Sequence, residues 1–105
     1  ATKFAVRAIS DGLRMDLKGT GVRVTNIQPG MVETEFSVVR LGNKQKADAV
    51  YSEMMPLSAK DIADTILWCL QQPAHVNISE LVIYPTDQAS VGQVVRGEKS
   101  IKNLK

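Results

Sequence analysis

The sequence has one cysteine, one histidine and one tryptophan among 105 residues, and aromatic residues make up only 5% of it. A lone Cys69 excludes an internal disulfide, and its distance from the lone His75 matches no zinc-ligand spacing. A reducing, cytoplasmic setting is the default that follows. No apolar run approaches the ~18 residues of a membrane helix, and no charged-then-apolar signal segment opens the chain. The formal net charge is only +2, too little to mark a nucleic-acid binder. Internal repeats and low-complexity tracts are absent as well. Neither a membrane nor a nucleic acid is therefore expected as a partner.

What is present is ordinary in amount and informative in order. Hydrophobic residues at 44% and charged residues at 23% suit a soluble globular chain. Ala5, Ile9, Leu13 and Leu17 recur every four positions, with Arg7, Arg14 and Lys18 free to face water, which predicts a helix over 1–18. Gly19 follows as a left-handed C-terminal cap. Gly12 inside that helix is either an incidental weak spot or a point of close helix approach. Val22, Val24, Thr25 and Ile27 predict a strand over 22–27, and Pro29 lacks the amide hydrogen needed to continue a central ladder. Residues 29–57 lack sustained periodicity and read as a long loop: a binding lid or a plain surface connection. Ser58 and Asp61 form a capping box for a helix over 58–72, with Ile62, Ala63, Ile66, Leu67 and Leu70 as its apolar stripe. Trp68 and Cys69 on that helix read as packing groups, and His75 as a turn or packing residue. A second strand spans 78–84 and is stopped by Pro85. From Asp87 to Lys105 the apolar pattern thins into a tail with a basic, solvated end.

The order helix, strand, loop, helix, strand implies right-handed crossovers onto one parallel sheet. Strands that are apolar on both faces expect helices on both sides and neighbours on both edges. Two strands alone leave long unpaired edges, so the chain reads as an incomplete sheet that needs further strands or self-association. A parallel strand that stops at Pro29-Gly30 delivers the next residues to the carboxyl edge of its sheet, where α/β proteins bind ligands. Gly30 would let a flat ring approach the backbone, and Met31, Val32 and Thr34 follow with amides and a hydroxyl.

Two segments carry a resemblance. Ala-Thr-Lys-Phe-Ala-Val-Arg at the start and Asn26-Ile27-Gln28-Pro29-Gly30 later resemble the carboxyl-terminal part of the classical short-chain dehydrogenases/reductases, whose active-site helix carries Tyr-x-x-x-Lys and whose later strand ends in Asn-x-x-Pro-Gly. The stretches GVRVTNIQPGMVETEF and PAHVNISELVIYPT are similar to the branch of NADP-dependent 3-hydroxy acid dehydrogenases that act on serine, allo-threonine and related compounds. The resemblance implies a C-terminal part of a doubly wound, Rossmann-like α/β domain that covers 1–105. It implies a catalytic Lys3, which lowers the pKa of a tyrosine one turn earlier and holds the nicotinamide ribose. It further implies cofactor binding by Pro29, Gly30, Met31, Val32 and Thr34, with the Val32 backbone paired to the nicotinamide carboxamide. Glu35 and Phe36 would border the substrate pocket, and Arg40 would pair with a substrate carboxylate.

The family's tyrosine would lie two residues upstream of Ala1, and its Gly-rich turn and catalytic serine strand have no counterpart in these residues. The chain is accordingly expected to be inactive alone and to have the missing N-terminal half of the same enzyme as its partner, in a homodimer or homotetramer that acts on a small-molecule substrate. NADP enters through the branch; NAD stays open, because the residues that choose between them lie near the first βα turn. Without the resemblance, Lys3 reads as a solvated charge, Arg40 as a surface arginine, and the chain as a non-catalytic, self-associating α/β interaction module.

Overall fold

The computed structural model describes residues 2–33, 42 and 48–103. They form two compact units, Ala1–Gln28 with Asp64–Val82, and Pro29–Ala63 with Ile83–Lys105.

The first unit opens with α1, Thr2–Asp16. Gly19 follows it with φ +81°, the left-handed conformation that a side chain resists and that ends a helix. No residue of α1 is buried: Phe4 is 75% exposed, Ile9 62% and Met15 69%, so the apolar stripe that writes the helix into the sequence is uncovered. A Cβ on Gly12 would meet nothing within 4 Å; the close helix approach considered for it is not found among the described residues.

Strand β1, Asn26–Pro29, pairs with β4, Glu80–Ile83. The Asn26 amide donates to the Ser79 carbonyl at 3.1 Å and the Gly30 amide to the Ile83 carbonyl at 2.7 Å. Both partners rise together along the sequence, so the pair is parallel. The ladder starts later than the strand expected at 22–27, and side chains explain why. The Asn77 amide group takes the place of a neighbouring peptide at Val24, accepting from its N–H at 2.9 Å and donating to its carbonyl at 3.1 Å. Pro29 does not interrupt the ladder either. Asn26 and Gly30 donate toward β4, so the amide missing at an odd-numbered position would have faced the other edge.

Arg23, from the same segment, donates to the carbonyls of Leu70, Gln72, Pro73 and Val76 at 2.9–3.3 Å. Those carbonyls lie at and just beyond the end of α2, Ala59–Leu70, where the last turn has no intrahelical donors and the helix dipole is negative. One guanidinium thus closes the helix end against the strand. The inward side of α2 differs from the predicted stripe: Cys69 is buried, whereas Leu67, Trp68 and Leu70 are 52%, 49% and 66% exposed. Trp68, expected to pack, is only about half covered. An apolar cleft of about 330 Å³ lies between Ile27 of β1, Ile78 just before β4, and Ile66 and Cys69 of the helix.

The second unit holds β2, Val32–Glu33, and β3, Leu57–Ser58, paired in parallel with Val32 opposite Leu57. Ser58 and Asp61 form the capping box that starts α2: the Ser58 amide donates to Asp61 Oδ2 at 2.8 Å, and the Asp61 amide donates to Ser58 Oγ at 3.2 Å. The Ser58 backbone, and then its side chain, hold the Asp61 carboxyl below its ordinary pKa. The segment expected to thin into a tail is instead structured. Strands β5, Gln88–Ser90, and β6, Gln93–Val94, form a bulged antiparallel hairpin, and 3₁₀ turns follow at Gly97–Lys99 and Ile101–Asn103. Ser100 is 0% and Asp87 3% exposed. Polar residues make this core, which is why apolar periodicity did not reveal it.

Candidate functional site

Four backbone groups of the stretch Gly30–Val32 are held by partners within the second unit. The Gly30 amide donates to Ile83, the Leu57 amide donates to the Met31 carbonyl at 2.9 Å, and the Met31 amide donates to Oε1 of Gln88 at 2.8 Å. Gln88 is itself buried and donates on to the Ser90 carbonyl at 3.3 Å. The Tyr51 hydroxyl donates to the Val32 carbonyl at 2.7 Å.

Gly30 has a packing reason that its sequence does not suggest. A Cβ there would run into Gln88 Oε1 and stand 2.6 Å from Cδ1 of Tyr84. The protein's own packing on that face is enough to call for glycine there.

The turn bearing Tyr51 is held by the C-terminal segment. Arg96 donates to the carbonyls of Val50 at 2.9 Å and Ser52 at 2.5 Å, and the Gly97 amide donates to that of Glu53 at 2.9 Å. Asp87 anchors the same region. Its carboxylate accepts from Ser100 Oγ at 2.5 Å and from the amides of Met55 at 2.8 Å and Ile101 at 2.7 Å. Met54, 1% exposed, packs within this turn. Beside it lies a cleft of about 340 Å³ lined by Glu33, Asp48, Tyr51, Met55 and Lys102, at the small end of the range for ligand pockets.

The Ser100 hydroxyl, then the amides of Ile101 and Met55, hold the Asp87 carboxyl below its ordinary pKa of 3.8, against the opposing effect of burial. A folded-state value below the unfolded one means that Asp87 adds stability above the unfolded pKa and loses it as pH falls through the folded one. Asp87→Asn is therefore expected to lower the melting temperature at neutral pH and to narrow its distance from wild type as pH drops below 3.8. Melting curves across that range check it; parallel acid profiles would remove Asp87 as the anchor.

Of the residues singled out by sequence, Pro29, Gly30, Met31 and Val32 are brought together here. Lys3 is exposed on α1, in the first unit. Thr34, Glu35, Phe36 and Arg40 lie outside the described residues. Sequence reading missed Tyr51, Asp87, Gln88 and Ser100. The available signals were weak: an aromatic among polar loop residues, and a Pro85-Thr86-Asp87 turn with a glutamine after it. Among the described residues no three His, Cys, Asp or Glu side chains gather as metal ligands, and no helix is long and apolar enough to cross a membrane.

The sequence pattern described as short chain dehydrogenase matches residues 1–45. Serine 3-dehydrogenase of Agrobacterium fabrum is 52% identical over 97 residues, which cover 90% of this chain and 39% of that protein. Sulfoacetaldehyde reductase 2 of Chromohalobacter salexigens is 50% identical over 90 residues, 85% of this chain and 36% of that one. The chain thus spans about two-fifths of the length of these curated relatives. A solved structure, the closed form of serine dehydrogenase complexed with NADP+, superimposes with a TM-score of 0.78 at 42% identity, covering 88% of this chain and 38% of its own. A parallel β1–β4 pair leads through Pro29-Gly30 into a held backbone turn, in a sequence that along most of its length is similar to part of the short-chain dehydrogenases.

Proposed function

We propose that this chain supplies the nicotinamide-binding turn and the catalytic lysine of an NADP-dependent dehydrogenase that interconverts a small hydroxy acid, serine or a close relative, with its carbonyl form. The observation that carries the reading is the turn Gly30–Val32, held by backbone and side-chain partners at the carboxyl end of a parallel strand, in a chain 52% identical to a serine 3-dehydrogenase. The donor set fits the cofactor. In a strand a residue's own N–H and C=O project to the same side. Leu57 donates to the Met31 carbonyl, so β3 lies on the other edge, and Val32 offers its N–H and C=O away from it. A donor beside an acceptor complements a primary carboxamide.

When bound, NADP supplies the hydride acceptor or donor. The chain's own residues would orient and tune. Val32 would fix the carboxamide, and Thr34 would donate to the amide or a phosphate. Glu35 and Phe36 would border the substrate, and Arg40 would pair with its carboxylate through a planar fork. Lys3 would hold the ribose and favour the phenolate of a tyrosine one helical turn before it, which moves the substrate hydroxyl proton. Function as part of a homo-oligomer belongs to the same reading.

A second reading, a self-associating α/β module, draws on the uncovered apolar residues of α1: Phe4, Ile9 and Leu13. One assay separates the two. A protein that carries this chain at the full length of its relatives is expected to reduce NADP+ with serine or 3-hydroxy acids, followed by nicotinamide absorbance. Failure to bind NADP(H) or to turn over any hydroxy acid would leave the module reading.

A further inference from the structure

The Val32 carbonyl, half of the proposed carboxamide pair, is already bound by a side chain. The Tyr51 hydroxyl donates to it at 2.7 Å, and Tyr51 is half-buried in a turn whose neighbouring carbonyls are tied down on both sides. Arg96 holds those of Val50 and Ser52, and Gly97 that of Glu53. A tyrosine with only two side-chain torsions, mounted on a turn fixed in this way, is a rigid donor. A carbonyl oxygen has two lone pairs, so the hydroxyl can occupy one while leaving the other for an incoming N–H. The preceding peptide is set by Leu57 on the Met31 carbonyl. The two clamps together determine where the Val32 donor–acceptor pair points.

We infer that Tyr51 is a positioning residue that orients the Val32 carbonyl toward the amide nitrogen of the nicotinamide carboxamide. The inference rests on the proposed function and adds a residue to it. Tyr51 does not touch the reacting atoms; it acts through Val32. Its effect must therefore depend on a cofactor with an N–H to give to that carbonyl. In the acetylpyridine analogue of NADP+ a methyl ketone replaces the carboxamide, so that N–H is missing.

The test compares wild type and Tyr51→Phe, in a protein of the relatives' full length, with NADP+ and with the analogue. With NADP+, the substitution should lower kcat/KM by about 3- to 10-fold, the weight of one hydrogen bond, mainly through a higher KM for the cofactor. With the analogue, the loss should be less than about 2-fold. Binding of the adenosine bisphosphate half of the cofactor, which lacks nicotinamide, should be unchanged and shows that the fold is intact. Equal losses with both cofactors would make Tyr51 merely structural and overturn the inference, as would tighter NADP+ binding by the variant, which would make the hydroxyl a competitor. A wild-type protein that does not bind NADP+ would defeat the proposed function itself, and that result is read before any substitution is compared.

Discussion

Replacing Lys3 with Met in a protein of the relatives' full length is expected to lower kcat by roughly 100- to 10,000-fold, the range for losing an effective general acid–base group. Methionine keeps an unbranched apolar stem and removes the charge. On a helix, residues four apart share a face, so the Lys3 ammonium would lie beside a tyrosine one turn earlier. A nearby cation favours the phenolate. Without it the tyrosine pKa returns toward its ordinary value of about 10, and the limb on which rate rises with pH moves alkaline. Lys3→Arg restores the charge and should recover part of that limb, but not the ammonium geometry at the ribose. Because Lys3 is exposed on α1, Lys3→Met should change stability by no more than about 0.5 kcal/mol. A large kinetic loss on an unchanged melting curve is the catalytic signature. An unchanged kcat with an unchanged pH profile would return Lys3 to the role of a solvated surface charge.

The elements legible in the sequence were those built on apolar repetition and local chemistry. The four-residue spacing from Ala5 to Leu17 gave α1, and the Ser58–Asp61 spacing gave the cap that both hydrogen bonds display. Two features were illegible because they depend on partners 13 to 53 residues away. The Asn77 amide that substitutes for a strand at Val24 leaves no mark on periodicity. The Asp87 carboxylate that gathers Met55, Ser100 and Ile101 reads as one more polar residue in a thinning tail. Which side of α2 is covered was misjudged as well, because the stripe from Ile62 to Leu70 records hydrophobicity, whereas burial needs something to pack against, and Leu67 and Leu70 have little.

The candidate site divides along the same line. Pro29-Gly30 announced a chain turning at a sheet edge, and the turn is there. What holds it came from elsewhere: Gln88 on the Met31 amide and Tyr51 on the Val32 carbonyl. A motif gives the position of a backbone turn, but not the side chains that fix its orientation, since those arrive through tertiary contacts with no required spacing.

Gly30→Ala tests whether that turn is as tightly packed as its geometry requires. The added methyl would meet Gln88 Oε1 and lie 2.6 Å from Cδ1 and 3.2 Å from Cε1 of Tyr84. The Gln88 oxygen ends a flexible side chain, but moving it breaks its bond with the Met31 amide and strands a donor. Tyr84 is 43% exposed and can yield, though only by shifting a ring rather than a chain end. Overpacking of this kind costs about 1–3 kcal/mol, and a protein of 150–250 residues loses roughly 2–4 °C of melting temperature per kcal/mol. Because the displaced groups orient Met31 and Val32, NADP+ affinity should fall too, by up to about tenfold if the cofactor loses ~1.4 kcal/mol of that preorganisation. Tyr84→Ala opens the crowded side and should restore part of the stability lost by Gly30→Ala, a positive coupling in the double-mutant cycle. If the glycine existed to admit a ligand ring, Gly30→Ala would instead weaken cofactor binding with no change in the melting temperature of the free protein, and Tyr84→Ala would rescue nothing. The two accounts of Gly30 therefore separate on the stability of the unliganded protein, before any cofactor is added.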